Sequence, residues 1–170
     1  MPHPFKLGHL IAIFQANICE IGPISTTCKV FEPTICLPSL PVPPFGIAIS
    51  PLANVCYVAL GSHIQCFCLD TWRCVGKWLA KVDKLLVLTF QEPFLYFRGN
   101  RGNQFFRVPA DYTGKLAMDG METIDTNFDY LLSGVFDLNE RLLLVDKANA
   151  EVLVSSLLFL SLVLLLNTIS

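Results

Sequence analysis

Short apolar runs separated by turn residues fill the middle of the chain. Gly46 to Ile49 is apolar, and Ser50-Pro51-Leu52-Ala53-Asn54 is rich in turn formers. Val55 to Leu60 (VCYVAL) is β-branched and aromatic, and Gly61-Ser62-His63 is a second turn. Ile64 to Leu69 (IQCFCL) alternates, with Ile64, Cys66 and Cys68 on one strand face. Asp70-Thr71-Trp72-Arg73 predicts a third turn, and Cys74 to Trp78 a fourth, outer strand. The same grammar then repeats. Leu85 to Phe90, Phe94 to Arg98 and Gln104 to Val108 read as strands. They are separated by Gln91-Glu92-Pro93 and by Gly99-Asn100-Arg101-Gly102-Asn103, whose residues tolerate positive φ. Pro109 to Gly120 reads as a longer polar loop. A third cycle opens with Tyr130 to Phe136, turns at Asp137-Leu138-Asn139-Glu140 and continues through Arg141 to Val145. It turns again at Asp146-Lys147-Ala148-Asn149 and begins a further strand at Glu151 to Ser155.

The corresponding turns start at Ser50, Gln91 and Asp137, at spacings of about 41 and 46 residues, close to the roughly 40–45 of WD repeats. Four short antiparallel strands joined by tight turns make one propeller blade. The pattern therefore predicts an all-β fold, a partial WD40-type β-propeller of two to three blades over residues 45–155. A closed ring needs at least about four blades of roughly 40 residues, and only about 110 residues carry the pattern, so part of a propeller is expected. The Trp-Asp and Gly-His signatures of WD repeats are missing, and Asp70-Thr71-Trp72 holds similar ingredients in another order. A sandwich or barrel is the competing all-β expectation.

The two ends depart from this pattern. Residues 1–44 are expected to be an irregular, Pro-rich segment. Their apolar run, Leu10 to Phe14, is short, and it lacks the cleavage site of a signal peptide. Pro38, Pro41, Pro43 and Pro44 deny the stretch a regular helix or a central strand. Residues 156–170 form an apolar tail. Val152 to Leu166 holds no charge; as a helix it would reach roughly 23 Å at about 1.5 Å per residue, against a bilayer core of about 30 Å. Extended through Ile169 it approaches a spanning length. A membrane anchor through residues 152–169 is one expectation for it, and an aberrant end to a blade is the other.

Charge adds little. The 170 residues include 12 basic and 14 acidic side chains, and a net charge of −2 lacks the basic excess of a nucleic-acid binder. Lys77, Lys81, Lys84, Arg98, Arg101 and Arg107 form a local basic stretch that reads as solvated turns and strand ends. Seven cysteines (Cys19, Cys28, Cys36, Cys56, Cys66, Cys68 and Cys74) contain no CxxC pair and no histidine at zinc-finger spacing. They predict reduced core thiols, neither disulfides nor metal ligands, and hence a reducing compartment. His3, His9 and His63 are the only histidines, and HExxH, GxSxG, P-loop and GxGxxG motifs are absent. His63 beside the strand cysteines offers a Cys–His pairing, but reads as a solvated turn residue. Asp119, Glu122, Asp125 and Asp129 match no EF-hand spacing and read as a solvated acidic loop. Trp72 and Trp78 read as blade packing. Together these features predict a binding protein and no enzyme, with no cofactor and no metal.

Several stretches resemble one family. Ser50-Pro51 opening a hairpin, Tyr57-Val58-Ala59-Leu60, the strand leading to Thr71-Trp72-Arg73-Cys74, and Leu88-Thr89-Phe90 resemble the early blades of the WD-repeat, non-catalytic subunit of tRNA (guanine-N7)-methyltransferase. Tyr130-Leu131-Leu132 through Asp137-Leu138-Asn139-Glu140-Arg141 to Asp146-Lys147 is similar to a later stretch of that family. The chain resembles a truncated member. The resemblance implies a propeller without catalytic groups that docks beside the catalytic methyltransferase subunit, stabilises it and helps hold the tRNA. The partner uses S-adenosylmethionine to methylate guanine N7. It further implies a nuclear heterodimer and partner-binding roles for Asp146 and Lys147. The family's next charged residues are replaced here by Ala148-Asn149-Ala150, and its later arginine falls near Leu153. A generic propeller scaffold with an unrelated partner, and a C-terminally membrane-anchored protein, are the alternative expectations.

Overall fold

The computed structural model describes residues 10–14, 17–21, 34–37, 40–99, 104–125, 131–136, 141–146 and 151–156. These residues are nearly all β-structure, arranged as four separate antiparallel meanders. The first contains β1 (Leu10–Phe14), β2 (Asn17–Ile21) and β3 (Thr34–Leu37). The second contains β4 (Pro44–Ser50), β5 (Val55–Leu60), β6 (His63–Cys68) and β7 (Cys74–Leu79). The third contains β8 (Leu85–Gln91), β9 (Phe94–Gly99), β10 (Gln104–Pro109) and β11 (Glu122–Asp125). The fourth contains β12 (Leu131–Phe136), β13 (Arg141–Asp146) and β14 (Glu151–Ser156). Strand neighbours in space are strand neighbours in sequence throughout. The strands expected between residues 45 and 155 are all present within a residue or two of their predicted ends.

Two differences from the sequence expectation have physical causes. The segment 1–44, expected as irregular, carries β1, β2 and β3. The strands lie between the prolines: Thr34–Leu37 is bracketed by Pro33 and Pro38, so here proline bounds strands and does not bar them. β11 arises inside the stretch expected as an acidic loop. Glu122 stands directly across from Arg107 of β10, and the guanidinium Nη2 lies 2.6 Å from its Oε2. An acid that looks like a loop residue in isolation is thus a cross-strand partner. The apolar tail lies outside the described residues beyond Ser156. Among the described residues, no helix is long and apolar enough to cross a membrane.

The four sheets stack face to face like a fan. Their first strands run side by side, β1 beside β4, β4 beside β8 and β8 beside β12, so these strands line the inner edge of the fan. The approach of β4 to β8 is close enough to require a glycine. A Cβ on Gly46 would stand 2.9 Å from the backbone nitrogen of Leu88, nearer than real Cβ contacts allow.

Alternation along each strand then divides its residues between two cores. Val55, Tyr57 and Ala59 of β5 join Leu88, Leu95, Phe97 and Phe106 between the second and third sheets. Cys56, Val58 and Leu60 of the same strand join Ile11, Ile18 and Phe67 towards the first sheet. Tyr96 and Phe105 turn the other way from Phe97 and Phe106, and pack with Leu142 and Phe136 of the fourth. A strand sandwiched in this way reads as a continuous apolar run with no polar face, which is why VCYVAL and FLYF contain so few polar residues.

Candidate partner-binding surface

With the sheet faces consumed by packing, the chemistry available to a ligand lies at the strand ends and on the outermost strands. One end of the fan gathers the β4–β5 turn, the β6–β7 turn, the β8–β9 turn and the long β10–β11 connection. Asn54, at φ 54°, closes the first of these. Its side-chain amide donates to Asp70 Oδ2 at 2.7 Å, and its carbonyl accepts from Leu69 N at 3.0 Å. The β4–β5 and β6–β7 turns are thereby fastened together. The opposite end joins Gly61 and Ser62 to the linker entering β8: Leu85 N donates to Gly61 O at 2.7 Å, and Ala80 N to Ser62 O at 3.0 Å.

The β10–β11 connection is ordered by one carboxylate. Asp111 Oδ1 accepts from the Thr113 hydroxyl at 2.6 Å, from Thr113 N at 2.8 Å and from Lys115 N at 3.0 Å. These bonds, with the Thr113 hydroxyl the strongest influence, hold the acid below its ordinary pKa. Gly114, at φ 82°, then turns the chain so that its carbonyl accepts from the buried Tyr57 hydroxyl at 2.9 Å. Burial pushes the Tyr57 phenol well up, with smaller contributions from Cys66, Asp111 and Glu92, so it remains a donor. This bond ties the third sheet's loop to the second sheet's core.

Between the turns lies a cleft of about 180 Å³. Ala53 and Phe90 form part of its floor; Leu52 and Tyr112 stand at its mouth, 79% and 88% exposed; Glu92 and Asp111 supply its carboxylates. Among the described residues, no basic one lines it. A second cleft, bounded by Cys66, Trp78 and Lys115, lies between the outer part of the second sheet and the same loop.

The sequence-based candidates fare differently. Asp146 is the last residue of β13, paired in register with Leu131 and Glu151, while Lys147 lies outside the described residues. The basic stretch does not form one patch. Arg98 is buried, Arg107 pairs with Glu122 and covers the Phe94 ring, Lys84 sits 3.8 Å above the Phe45 ring, and Arg101 lies outside the described residues. Burial works against the charge of Arg107, but its bond to Glu122 more than compensates and raises its pKa. Trp72 and Trp78 pack against the second and first of these cores. His63 opens β6 and contacts Ser62 Oγ at 3.4 Å. Strand alternation turns it away from Cys66.

Cys19, Cys56, Cys66, Cys68 and Cys74 are free thiols. Burial pushes Cys66 up to about 12, with Cys74 and Cys68 adding to it. Cys68, at the turn, is lowered by hydrogen bonds from Thr71 and from the Thr71 and Asp70 backbone. Among the described residues no three His, Cys, Asp or Glu side chains converge as a metal site would require. The cleft itself was hidden from sequence reasoning, because Leu52, Glu92 and Tyr112 come from three separate turns and share no local motif.

No protein-family model matches the chain, and no curated protein does. Solved structures do resemble its fold. A chain of a crystallised nidogen/laminin complex superposes with a TM-score of 0.62 at 12% identity, covering 86% of this chain and 60% of that one. The crystal structure of the RRP9 WD40 repeats superposes with a TM-score of 0.57 at 11% identity, covering 91% of this chain and 49% of that one. At such identities the likeness is one of fold, a WD40-type β-propeller. The chain spans between about half and three-fifths of the length of these structures.

Proposed function

We propose that the chain acts by binding, without catalysis, as the WD-repeat subunit of a nuclear tRNA guanine-N7 methyltransferase complex, where it stabilises the catalytic subunit and helps position the tRNA. One observation carries this reading: the stretches that resemble the family fall on strands and turns of the second, third and fourth sheets. Ser50-Pro51 lies at the first turn of the second sheet, and Asp137 to Glu140 separates the first two strands of the fourth. Tyr57 to Leu60 and Leu88 to Phe90 fall on the packed inner strands. Asp146, the last residue of β13, and Lys147, next in sequence, are the proposed partner contacts.

The propeller architecture supports the broader part of this reading. Its side chains are committed to packing between sheets, and its ends present turns to other molecules. The test is a pull-down with the tagged full chain from a detergent-free nuclear extract, with captured proteins identified by mass spectrometry. Recovery of the catalytic methyltransferase subunit, weakened by Asp146→Lys combined with Lys147→Glu, is the expected result. A soluble bait that captures other proteins and never that subunit would replace the specific reading with a scaffold for a different partner.

A further inference from the structure

The cleft between the β4–β5 turn, the β8–β9 turn and the Asp111 loop has a size, a lining and a charge that together specify an occupant. Pockets for small molecules run to about 300–1,000 Å³, whereas a cavity of about 150 Å³ accommodates a benzene ring. At about 180 Å³ this cleft holds a single side chain. Ala53, Phe90 and Pro93 give it apolar lining, and the buried Ser50 hydroxyl beside them accepts from Ala53 N at 3.4 Å. Leu52 and Tyr112 flank the opening and are almost fully exposed, so both present apolar surface to whatever enters. Two carboxylates, Glu92 and Asp111, share the lining; Lys115 acts on Asp111 from outside it, and the lining itself carries a net negative charge.

We propose that this cleft anchors an arginine side chain from an extended segment of a partner protein. The aliphatic stem of arginine lies against Leu52 and Pro93, its planar head reaches the carboxylates, and its face stacks on the Tyr112 ring. Lysine, a compact and strongly hydrated point charge, would use the carboxylates but gain less from the aromatic wall. The hydrogen bonds within the Asp111 loop fix the position of that carboxylate before any ligand arrives, so little ordering is required on binding. This inference rests on the reading of the chain as a binding protein and adds a recognition surface separate from Asp146 and Lys147.

The test is a titration of the isotope-labelled full chain, followed by amide chemical shifts, with an acetylated and amidated Leu-Arg-Leu peptide. The control is the same peptide with citrulline, which keeps the shape of arginine and removes its charge. Shifts should concentrate at Ala53, Tyr112 and Thr113 for the arginine peptide and be lost for the citrulline peptide. Glu92→Lys should weaken binding about tenfold or more, and Tyr112→Ala about threefold. Lys81→Glu, at an exposed position away from the cleft, should leave it unchanged. Equal binding of the two peptides, unchanged binding by Glu92→Lys, or no shifts at the cleft at millimolar peptide would each overturn the proposal. Failure of the broader reading is seen separately, as a bait that captures no partner from extract while the peptide titration still succeeds.

Discussion

The second and fourth strands of one sheet, about 10 Å apart with one strand between them, occupy different surroundings. β5 is buried at every position from Val55 to Leu60, because a sheet covers each of its faces. β7, at the outer margin, is exposed or half-exposed from Cys74 to Leu79, and Val75 is 58% exposed. The same backbone pattern thus supports two kinds of residue. Inner strands hold the fold together, and their sequence is constrained on both sides. Outer strands and turn ends carry little of that burden and are free to specify contacts.

The sharpest test of this contrast places a charge on the inner strand. Val58→Asp would bury a carboxylate in the core shared with Ile11 and Ile18, at a cost of about 4 kcal/mol or more, and the chain should lose its cooperative thermal transition. Gly46→Val should follow at about 2–3 kcal/mol. Here the obstruction is the Leu88 backbone, which cannot swing aside as a side chain can, and the drop should be read by denaturant titration. Tyr57→Phe keeps the ring and its stacking on Phe90 but orphans the Gly114 carbonyl, and should cost about 1 kcal/mol in the same assay.

A local effect comes next, at the strand ends. The folded-state pKa of Asp111 is depressed, so its stabilising contribution is present above the ordinary carboxylate value and lost as pH falls through the depressed one. Hydrogen exchange at the Thr113 and Lys115 amides should be slow near neutrality and accelerate in acid relative to amides in β5. Asp111→Asn should remove that pH dependence. The smallest effect is expected on the outer strand. Val75→Thr should change stability by less than about 0.5 kcal/mol, and a larger loss would mean that β7 is not the free margin described here.

The contrast also explains what could be read from the sequence. β5, β8 and β9 were visible because burial on both faces leaves unbroken runs such as VCYVAL and LLVLTF between turn residues. β1 to β3 were hidden by surrounding prolines, although each strand is only four or five residues long and fits between them. β11 was hidden by Glu122, whose strand role depends on Arg107, fifteen residues away. The cleft could not be named from sequence. Its parts meet only after the sheets have stacked, and no periodicity within one strand encodes a neighbour in the next.

The division of each inner strand between two cores has a consequence for how this sequence can change over evolutionary time. Adjacent residues answer to different neighbours: Tyr57 faces Phe90 across a ring-to-ring distance of 5.7 Å, while Val58 shares its core with Ile18. A substitution at one position therefore invites compensation in the following repeat, and a substitution at the next invites it in the preceding one. Drift in such a chain spreads sideways from repeat to repeat, and the residues that vary together are those a whole repeat apart.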